Sequence, residues 1–346
     1  MKLSIVIICW NDLKVIANCL KSIFAETKGI PFEVIVSDNG SSDGSLNYIR
    51  ENFPTVRIVE NGANLGFAKG NNAGIRVAQG QYILILNPDT IILDRALEKF
   101  VDFAEQHPKA GAFGCRVLNP DGSFQNPARP IPTLSGALVS ALNLRWLARF
   151  SPLFTSDLYF NWDGRDERKI GFQSGCCVMF RGDLLKQLGG FDERFFYHFE
   201  ETDLCYRIWL AQSSILYCPN AEITHLGGQS VGRFPIRFAL ETYRSGYRFF
   251  YKHYGVKGLV SLRWINLLSL CLRYGGYKLK DLPKPTEALQ NRLKMYAVAI
   301  RWNFGLNPIE FIKSGKEPNL GYEPLAPAPR MIEDIVSPQQ KRPCTI

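Results

Sequence analysis

The sequence predicts an α/β fold built on a Rossmann-like, doubly wound and mostly parallel sheet, and three observations carry that prediction. Apolar runs of strand length alternate with stretches of helical periodicity over residues 3–89; the runs are continuous rather than alternating, as in strands covered on both faces; and each run stops abruptly at polar residues. The first run, Leu3-Ser4-Ile5-Val6-Ile7-Ile8-Cys9, passes into the polar turn at Trp10-Asn11, and a helical pattern follows over 13–25. The second, Phe32-Glu33-Val34-Ile35-Val36-Ser37, ends in Asp38 and the turn Asn39-Gly40-Ser41-Ser42-Asp43-Gly44-Ser45. Helical patterns over 66–78 and 93–105 flank the third, Tyr82-Ile83-Leu84-Ile85-Leu86, which ends in Asn87-Pro88-Asp89-Thr90.

A carboxylate cannot remain in such a core, so Asp38 and Asp89 are delivered to strand mouths, where open α/β sheets collect their ligands. Asp89 there either caps a turn or holds a divalent cation or polar ligand. Asp38 is an acceptor suited to a base or a ribose, and the Gly/Ser turn behind it offers free backbone N–H groups to phosphate or hydroxyl oxygens. Asp43 is the better candidate for the following helix cap. Further on, Glu200, Glu201 and Asp203 form the densest acidic cluster, next to Phe195-Phe196-Tyr197-His198-Phe199. Carboxylates against so much apolar surface have raised pKa values, which suits a general base; the alternative is the acidic first turn of a helix over 204–211. His225, one of four histidines, sits where an extended segment enters the glycine-rich Leu226-Gly227-Gly228. It is either a ligand for a manganese-like cation or a hydrogen-bonded loop histidine.

These blocks, together with Asn64-Leu65-Gly66-Phe67-Ala68-Lys69-Gly70-Asn71-Asn72-Ala73-Gly74, Gly189-Gly190-Phe191-Asp192-Glu193-Arg194 and Glu200-Glu201-Thr202-Asp203, closely resemble glycosyltransferase family 2, and within it bacterial rhamnosyltransferases most of all. The resemblance implies a GT-A fold, a dTDP- or UDP-linked nucleotide-sugar donor, a divalent cation (Mg2+ or Mn2+) and inversion at the anomeric carbon. It puts donor contacts at Asp38, Asn39, Asn64, Gly66, Lys69, Asn87 and Asp89, and the catalytic base at Glu201. Acceptor contacts fall at Gly175, Cys176, Glu200 and Asp203, and metal ligands at Asp89 and His225. Asn87 stands where many members carry the first acid of the metal-binding signature. One negative charge is therefore missing, an arrangement magnesium tolerates because it often binds through one or two carboxylates plus substrate phosphates and water.

The 346 residues, 46% of them hydrophobic, suffice for one catalytic domain over 1–232 (a nucleotide-sugar half over 1–118 and an acceptor half over 119–232) with a helical extension over 233–313 and a Pro-rich flexible tail over 314–346. Nine cysteines show no disulfide or zinc spacing, and Met1-Lys2-Leu3 leads directly into a strand, so a cytoplasmic protein is expected. The net charge of +9 concentrates in a basic, aromatic segment over 233–280. It contains no nucleic-acid-binding motif, which excludes that class of partner. Over 259–274, Arg263, Asn266, Ser269 and Arg273 make one polar stripe on an apolar helix. Central arginines cost roughly 2.5–3.5 kcal/mol each in a bilayer, which disfavours a span. The helix therefore lies at the inner membrane face or packs on the catalytic domain with its arginines solvated. The loop over 119–132, with its four prolines, reads as a mobile cover or a surface excursion. Two functions follow: transfer of a deoxyhexose such as rhamnose from a dTDP-sugar to a lipid-linked or cell-surface glycan, or a catalytically silent nucleotide-sugar-binding scaffold, an option raised by Asn87.

Overall fold

The computed structural model describes residues 1–151, 159, 162–227, 235–281 and 286–320. The strands β1 (Leu3–Cys9), β2 (Phe32–Asp38), β3 (Arg57–Glu60) and β4 (Tyr82–Leu86) pair in parallel in the order β3-β2-β1-β4. The apolar side chains of β1 and β4 are buried on both faces because helices cover both. The helix α1 (Leu13–Glu26) covers one face through Ile16, Cys19, Leu20 and Ile23, a single helical stripe. Across the sheet, α3 (Gly66–Val77) buries Ala68 and Ile75 against Val6 and Ile35. The short α2 (Ser45–Asn52) follows the Gly/Ser turn, and the side chain of Asp43 accepts from the Ser45 backbone N–H.

Beyond β4 the sheet becomes mixed. The strand β10 (Cys177–Arg181) runs antiparallel to both β4 and β6 (Ala110–Leu118). The long β11 (Ser214–His225) pairs with β6 in parallel and with the three-residue β5 (Thr90–Ile92) antiparallel. A two-residue strand β8 (Arg168–Lys169) adds to β11, and β7 (Ala128–Arg129) pairs with β9 (Phe172–Gln173) apart from the main sheet. Doubly wound parallel topology thus describes the first half, and an antiparallel insertion builds the second. The helix expected over 93–105 is α4 (Ala96–Gln106); Asp94 and Arg95 both have positive φ and delay its start. The short α5 (Leu134–Ala141) and α6 (Gly182–Gln187) complete this part.

The helix expected over 204–211 starts four residues early, as α7 (Glu200–Leu210), after two consecutive left-handed residues, His198 (φ 62°) and Phe199 (φ 69°). Its acidic first turn is real, yet Glu200, Glu201 and Asp203 are all buried, unlike a solvated dipole partner. The helix α8 (Pro235–Asp281) bends at Gly255, whose φ of 68° ends one helical segment and starts the next. With α9 (Glu287–Gly305) and α10 (Pro308–Ser314) it packs a separate aromatic cluster around Tyr247, Phe249, Trp302 and Phe311. Glu317, expected in a flexible tail, instead accepts from Arg244 and from the Trp302 indole N–H. The stretch past 320 lies outside the described residues.

A buried ion network joins α8 to α7. Asp203 meets Arg207 at 2.8 Å, Lys252 at 2.7 Å and His253 at 2.7 Å, and Lys252 also meets Asp192 at 2.7 Å. Burial alone would raise the Asp203 pKa, but His253, Lys252 and Arg207 hold it far below the usual carboxylate range. The Asp203 carboxylate, expected at the acceptor, faces α8 and lines neither of the two cavities described below. Asp203→Asn leaves the Lys252 and Arg207 cations and the His253 ring without their shared partner, and breaking a buried pair typically costs about 3–5 kcal/mol. Urea denaturation at pH 7 should show a loss of about that size, and a loss under 1 kcal/mol would contradict this role.

Candidate active site

The carboxyl ends of β1, β2 and β4 open on one side of the sheet, and a cavity of about 270 Å³ lies there, lined by Trp10, Asp12, Asn39, Asn87, Asp89 and residues from the second half. The turn after β2 is braced by an asparagine ladder. The Asn61 amide donates to the Asn39 side-chain oxygen at 3.0 Å, and the Asn39 amide donates to Asn64 and to the Gly66 carbonyl at 3.1 Å. Gly66 is required where α3 begins: its φ is +81°, and a Cβ would lie 2.5 Å from the Phe196 ring and carbonyl. That contact lets the Phe67 N–H donate to the Phe196 carbonyl at 2.8 Å, which pins the loop carrying Tyr197 and His198 over the cavity.

Asp38 is buried, and its Oδ2 accepts from the Gly40 and Ser41 N–H groups at 2.9 and 3.0 Å. Its Oδ1 is buried without a partner. Lys69, expected at the donor, is exposed on α3 and does not line the cavity. Asp38 likewise does not line it, lying behind the Asn39 turn. Asn39, Asn64, Gly66, Asn87, Asp89, Gly175, Cys176, Glu200, Glu201 and His225 do.

Asp89 and His225 are brought together by backbone pairing. Thr90 of β5 is registered opposite His225 of β11, and the Leu226 N–H donates to the Asp89 carbonyl at 3.0 Å. The His225 Nε2 then lies 3.3 Å from Asp89 Oδ1. Gln125, a residue the sequence pattern does not single out, fixes the ring: its Oε1 is 2.7 Å from His225 Nδ1, and its amide donates to Asn119 at 2.8 Å and to the His225 carbonyl at 3.4 Å. The amide orientation set by those two acceptors turns the oxygen to Nδ1, so the tautomer with Nδ1–H presents its Nε2 lone pair to a carboxylate oxygen. Two facing acceptors need a proton or a cation between them, and one carboxylate plus one imidazole suits a divalent ion that also takes phosphate and water oxygens. Among the described residues no group of three or more His, Cys, Asp and Glu could hold a metal. The segment over 119–132 is thus tied into the site by Gln125 and by β7 rather than standing off as a cover.

Glu200 and Glu201 are buried in the first turn of α7, and each has an Oε2 with no partner. Burial, partly offset by backbone N–H donors including Gly175, pushes Glu201 up to about 7. Burial and the adjacent Glu201 charge raise Glu200 well above its ordinary value. Both carboxyls are therefore harder to ionise than a solvated glutamate, because burial opposes the charge on each and the pair repel when both are charged. Orphaned buried carboxylate oxygens are rare, and here Glu200, Glu201 and Asp38 all contribute one around the same region.

A Rossmann-like half with acceptor carboxylates at its strand mouths, a mixed second half and a buried glutamate across the cleft define a glycosyltransferase of GT-A fold. The chain belongs to glycosyl transferase family 2, whose pattern it matches over residues 4–189. It is 31% identical over 255 residues to the N-acetylglucosaminyl-diphospho-decaprenol L-rhamnosyltransferase of Mycobacterium tuberculosis, covering 70% of this chain and 82% of that one. It is 26% identical over 205 residues to rhamnosyltransferase WbbL of Escherichia coli, covering 56% and 72%. The solved mannosyltransferase PcManGT from Pyrobaculum calidifontis, in complex with GDP-Man and Mn2+, superposes with a TM-score of 0.51 over 87% of each chain at 18% identity and shares the fold.

The raised Glu201 pKa has a stability consequence of definite sign. The unfolded carboxyl ionises near 4.5 and the folded one near 7, so the folded state holds the proton longer. Its contribution to stability is complete below pH 4.5 and is lost as pH rises through 7. Glu201→Gln should flatten that slope and be more stable than wild type at pH 8 by about 1–3 kcal/mol, at 1.36 kcal/mol per pKa unit. Parallel melting curves at pH 5 and pH 8 test it; identical slopes for the two proteins would refute the buried-acid assignment.

Proposed function

We propose that the chain is an inverting, metal-dependent glycosyltransferase that moves rhamnose from dTDP-rhamnose to a lipid-linked glycan at the inner face of the cell membrane. The observation that carries the reading is the position of Glu201, which lines both the cavity holding Asp89 and His225 and a second, larger cavity behind it. The first suits the donor, and the second suits the acceptor. The similarity to rhamnosyltransferases supports the sugar and the lipid-linked acceptor.

A divalent cation bound between Asp89 and His225 would neutralise the charge that develops on the leaving diphosphate. Gln125 keeps the His225 lone pair turned toward that position. Asn87 contributes a neutral oxygen or amide in place of a second acid. Glu201, deprotonated, takes the proton of the attacking hydroxyl from the side opposite the leaving group, which inverts the anomeric centre. Glu200, kept neutral by burial, leaves that negative charge on Glu201 alone.

The outward face of α8 supports membrane contact. Trp264, Leu268 and Leu272 are 57, 42 and 51% exposed, whereas Leu259, Leu262, Leu267 and Leu270 are buried. The polar stripe is turned inward rather than solvated: Arg263 donates to the Asn303 carbonyl at 3.0 Å, and Asn266 and Ser269 line the second cavity. No Asp or Glu occurs between Thr242 and Lys280, while Lys257 and Lys278 are exposed. An apolar stripe with a tryptophan and basic neighbours is the composition of an interfacial helix.

Turnover should fall ~10²–10⁴-fold in Glu201→Gln while donor binding survives, the usual worth of a general base. In wild type, kcat/KM should fall as pH drops below about 7, where Glu201 takes up its proton, and the variant should lack that limb. Asp89→Ala and chelation should each abolish transfer, and Asn87→Asp should retain it; full activity in chelator would remove the metal from the mechanism. For the membrane face, anionic vesicles should bind the protein in a salt-sensitive manner. Trp264→Ala with Leu268→Glu should abolish binding without lowering the melting temperature, since both side chains are exposed. Wild-type indifference to vesicles at low salt would refute the contact.

A further inference from the structure

The two cavities meet at one opening. The first encloses about 270 Å³ and the second about 620 Å³, and among the described residues Ser174, His198 and Glu201 alone line both. All three are polar, whereas Phe172, Phe199, Tyr243, Phe250 and Leu262 make the second cavity largely apolar. A sugar whose hydroxyl attacks a donor in the first cavity has to reach it through this opening, so these three side chains surround the sugar.

The backbone of His198 is strained to place its ring there. Its φ of 62° lies in the left-handed region, which non-glycine residues seldom adopt, and three helices fix the chain around it. The Phe67 N–H of α3 donates to the Phe196 carbonyl, the Ser245 hydroxyl of α8 to the Tyr197 carbonyl and the Asp203 N–H of α7 to the Phe199 carbonyl, each at 2.8 Å. The Tyr197 ring, packed on Phe238 with centroids 4.7 Å apart, stands 4.0 Å from the imidazole at 60°. Strain persists where the surrounding structure over-determines it, and such positions cluster at functional sites.

Nothing in the fold uses the ring so placed. Among the described residues neither ring nitrogen of His198 meets a hydrogen-bond partner or a carboxylate, in contrast to His225 with Gln125 and Asp89, and His253 with Asp203. The ring is exposed where it lines the cavities, and burial alone lowers its pKa to about 4, so it is neutral at pH 7. An anionic ligand would find no positive charge on it. A hydroxyl, which both donates and accepts, pairs with either tautomer of a neutral imidazole.

We propose that His198 orients the acceptor sugar by hydrogen-bonding the ring hydroxyl vicinal to the one that Glu201 deprotonates, so that the site selects a pyranoside with a vicinal diol at the reacting position. The proposal rests on the glycosyltransferase reading and names a specificity-determining residue of that same site. Adjacent hydroxyls project from one edge of a pyranose ring, so two groups facing a single opening meet a vicinal pair rather than hydroxyls across the ring.

The test is direct binding to the full chain, with saturating dTDP and UDP filling the first cavity. Octyl β-D-glucopyranoside, octyl β-D-galactopyranoside and octyl N-acetyl-β-D-glucosaminide are titrated, followed by every monodeoxy form of the tightest. His198→Ala should weaken the parent glycoside about 3–10-fold, the usual net worth of one neutral hydrogen bond. His198→Asn and His198→Gln carry an amide nitrogen near the Nδ1 and Nε2 positions, and one of them should recover most of the loss. The monodeoxy form that lacks the bonded hydroxyl should bind wild type and His198→Ala equally, while the other forms keep the difference. In the product of rhamnose transfer, the new linkage should lie at the carbon next to that hydroxyl. Absence of glycoside binding to the wild type, unchanged affinity in His198→Ala, no recovery in either amide variant, an equal loss for every monodeoxy form, or a linkage at a non-adjacent carbon would each overturn the proposal. Failure of the wild type to transfer rhamnose would instead count against the proposed function and leave the binding result standing.

Discussion

The pairing of β11 with β5 is the interaction on which the site depends. It is only three residues long, yet it joins the end of the last strand to the segment that follows β4, and its register sets His225 against Thr90. From that backbone fact follow the Asp89–His225 contact, the Leu226 hydrogen bond and the reach of Gln125. A slip of one residue in an antiparallel ladder would turn His225 to the other face of the sheet. After an irregularity in register between Cys218 and Glu222, β11 resumes pairing with β6 on one edge through Thr224 while Ile223 to His225 pair with β5 on the other.

The price of the site is paid in buried carboxylates and strained backbone. His198 and Phe199 occupy the left-handed region side by side, a conformation that costs non-glycine residues of order 1–3 kcal/mol each. Their reward is geometric: the chain enters α7 at an angle that buries Glu200 and Glu201 beneath the loop instead of leaving them in solvent. The same helix start is anchored from behind by Asp203 and its partners Arg207, Lys252 and His253, so a low-pKa acid that holds the helix and a raised-pKa acid that faces the cleft sit two residues apart. Their environments differ because helical geometry points residues two apart in different directions, one toward α8 and one toward the cavities.

The C-terminal helices do more than cap the fold. The segment of α8 after Gly255 lays its polar side on the second cavity and on the C-terminal end of α9, which reverses the usual amphipathic arrangement and leaves Trp264, Leu268 and Leu272 outside. The aromatic cluster of α8, α9 and α10 supplies the rigidity that lets a helix carry such a face, with the buried Glu241, Arg244 and Arg248 cross-linking its first turns.

The parallel half of the sheet was legible in the sequence because strands buried on both faces must be continuous apolar runs, and their polar ends mark where a cleft can form. Residue type and family pattern singled out Glu201, Asp89 and His225, and the structure places all three on one cavity. What the sequence could not express was direction. Lys69 lies in the same glycine-rich block as Gly66 and is exposed; Asp203 is two residues from Glu201 and faces α8; Arg263 turns inward to the Asn303 carbonyl while Arg273, on the same sequence stripe, stays exposed; Gln125 sits in an unremarkable loop and orients His225. The sequence by itself determined the alternation of buried strands and helices and the acids at their ends, since burial and periodicity are local properties of the chain. Only the tertiary structure decided which of those acids meet, because that depends on contacts between segments about a hundred residues apart, such as Gln125 with His225, whose partners no local pattern encodes.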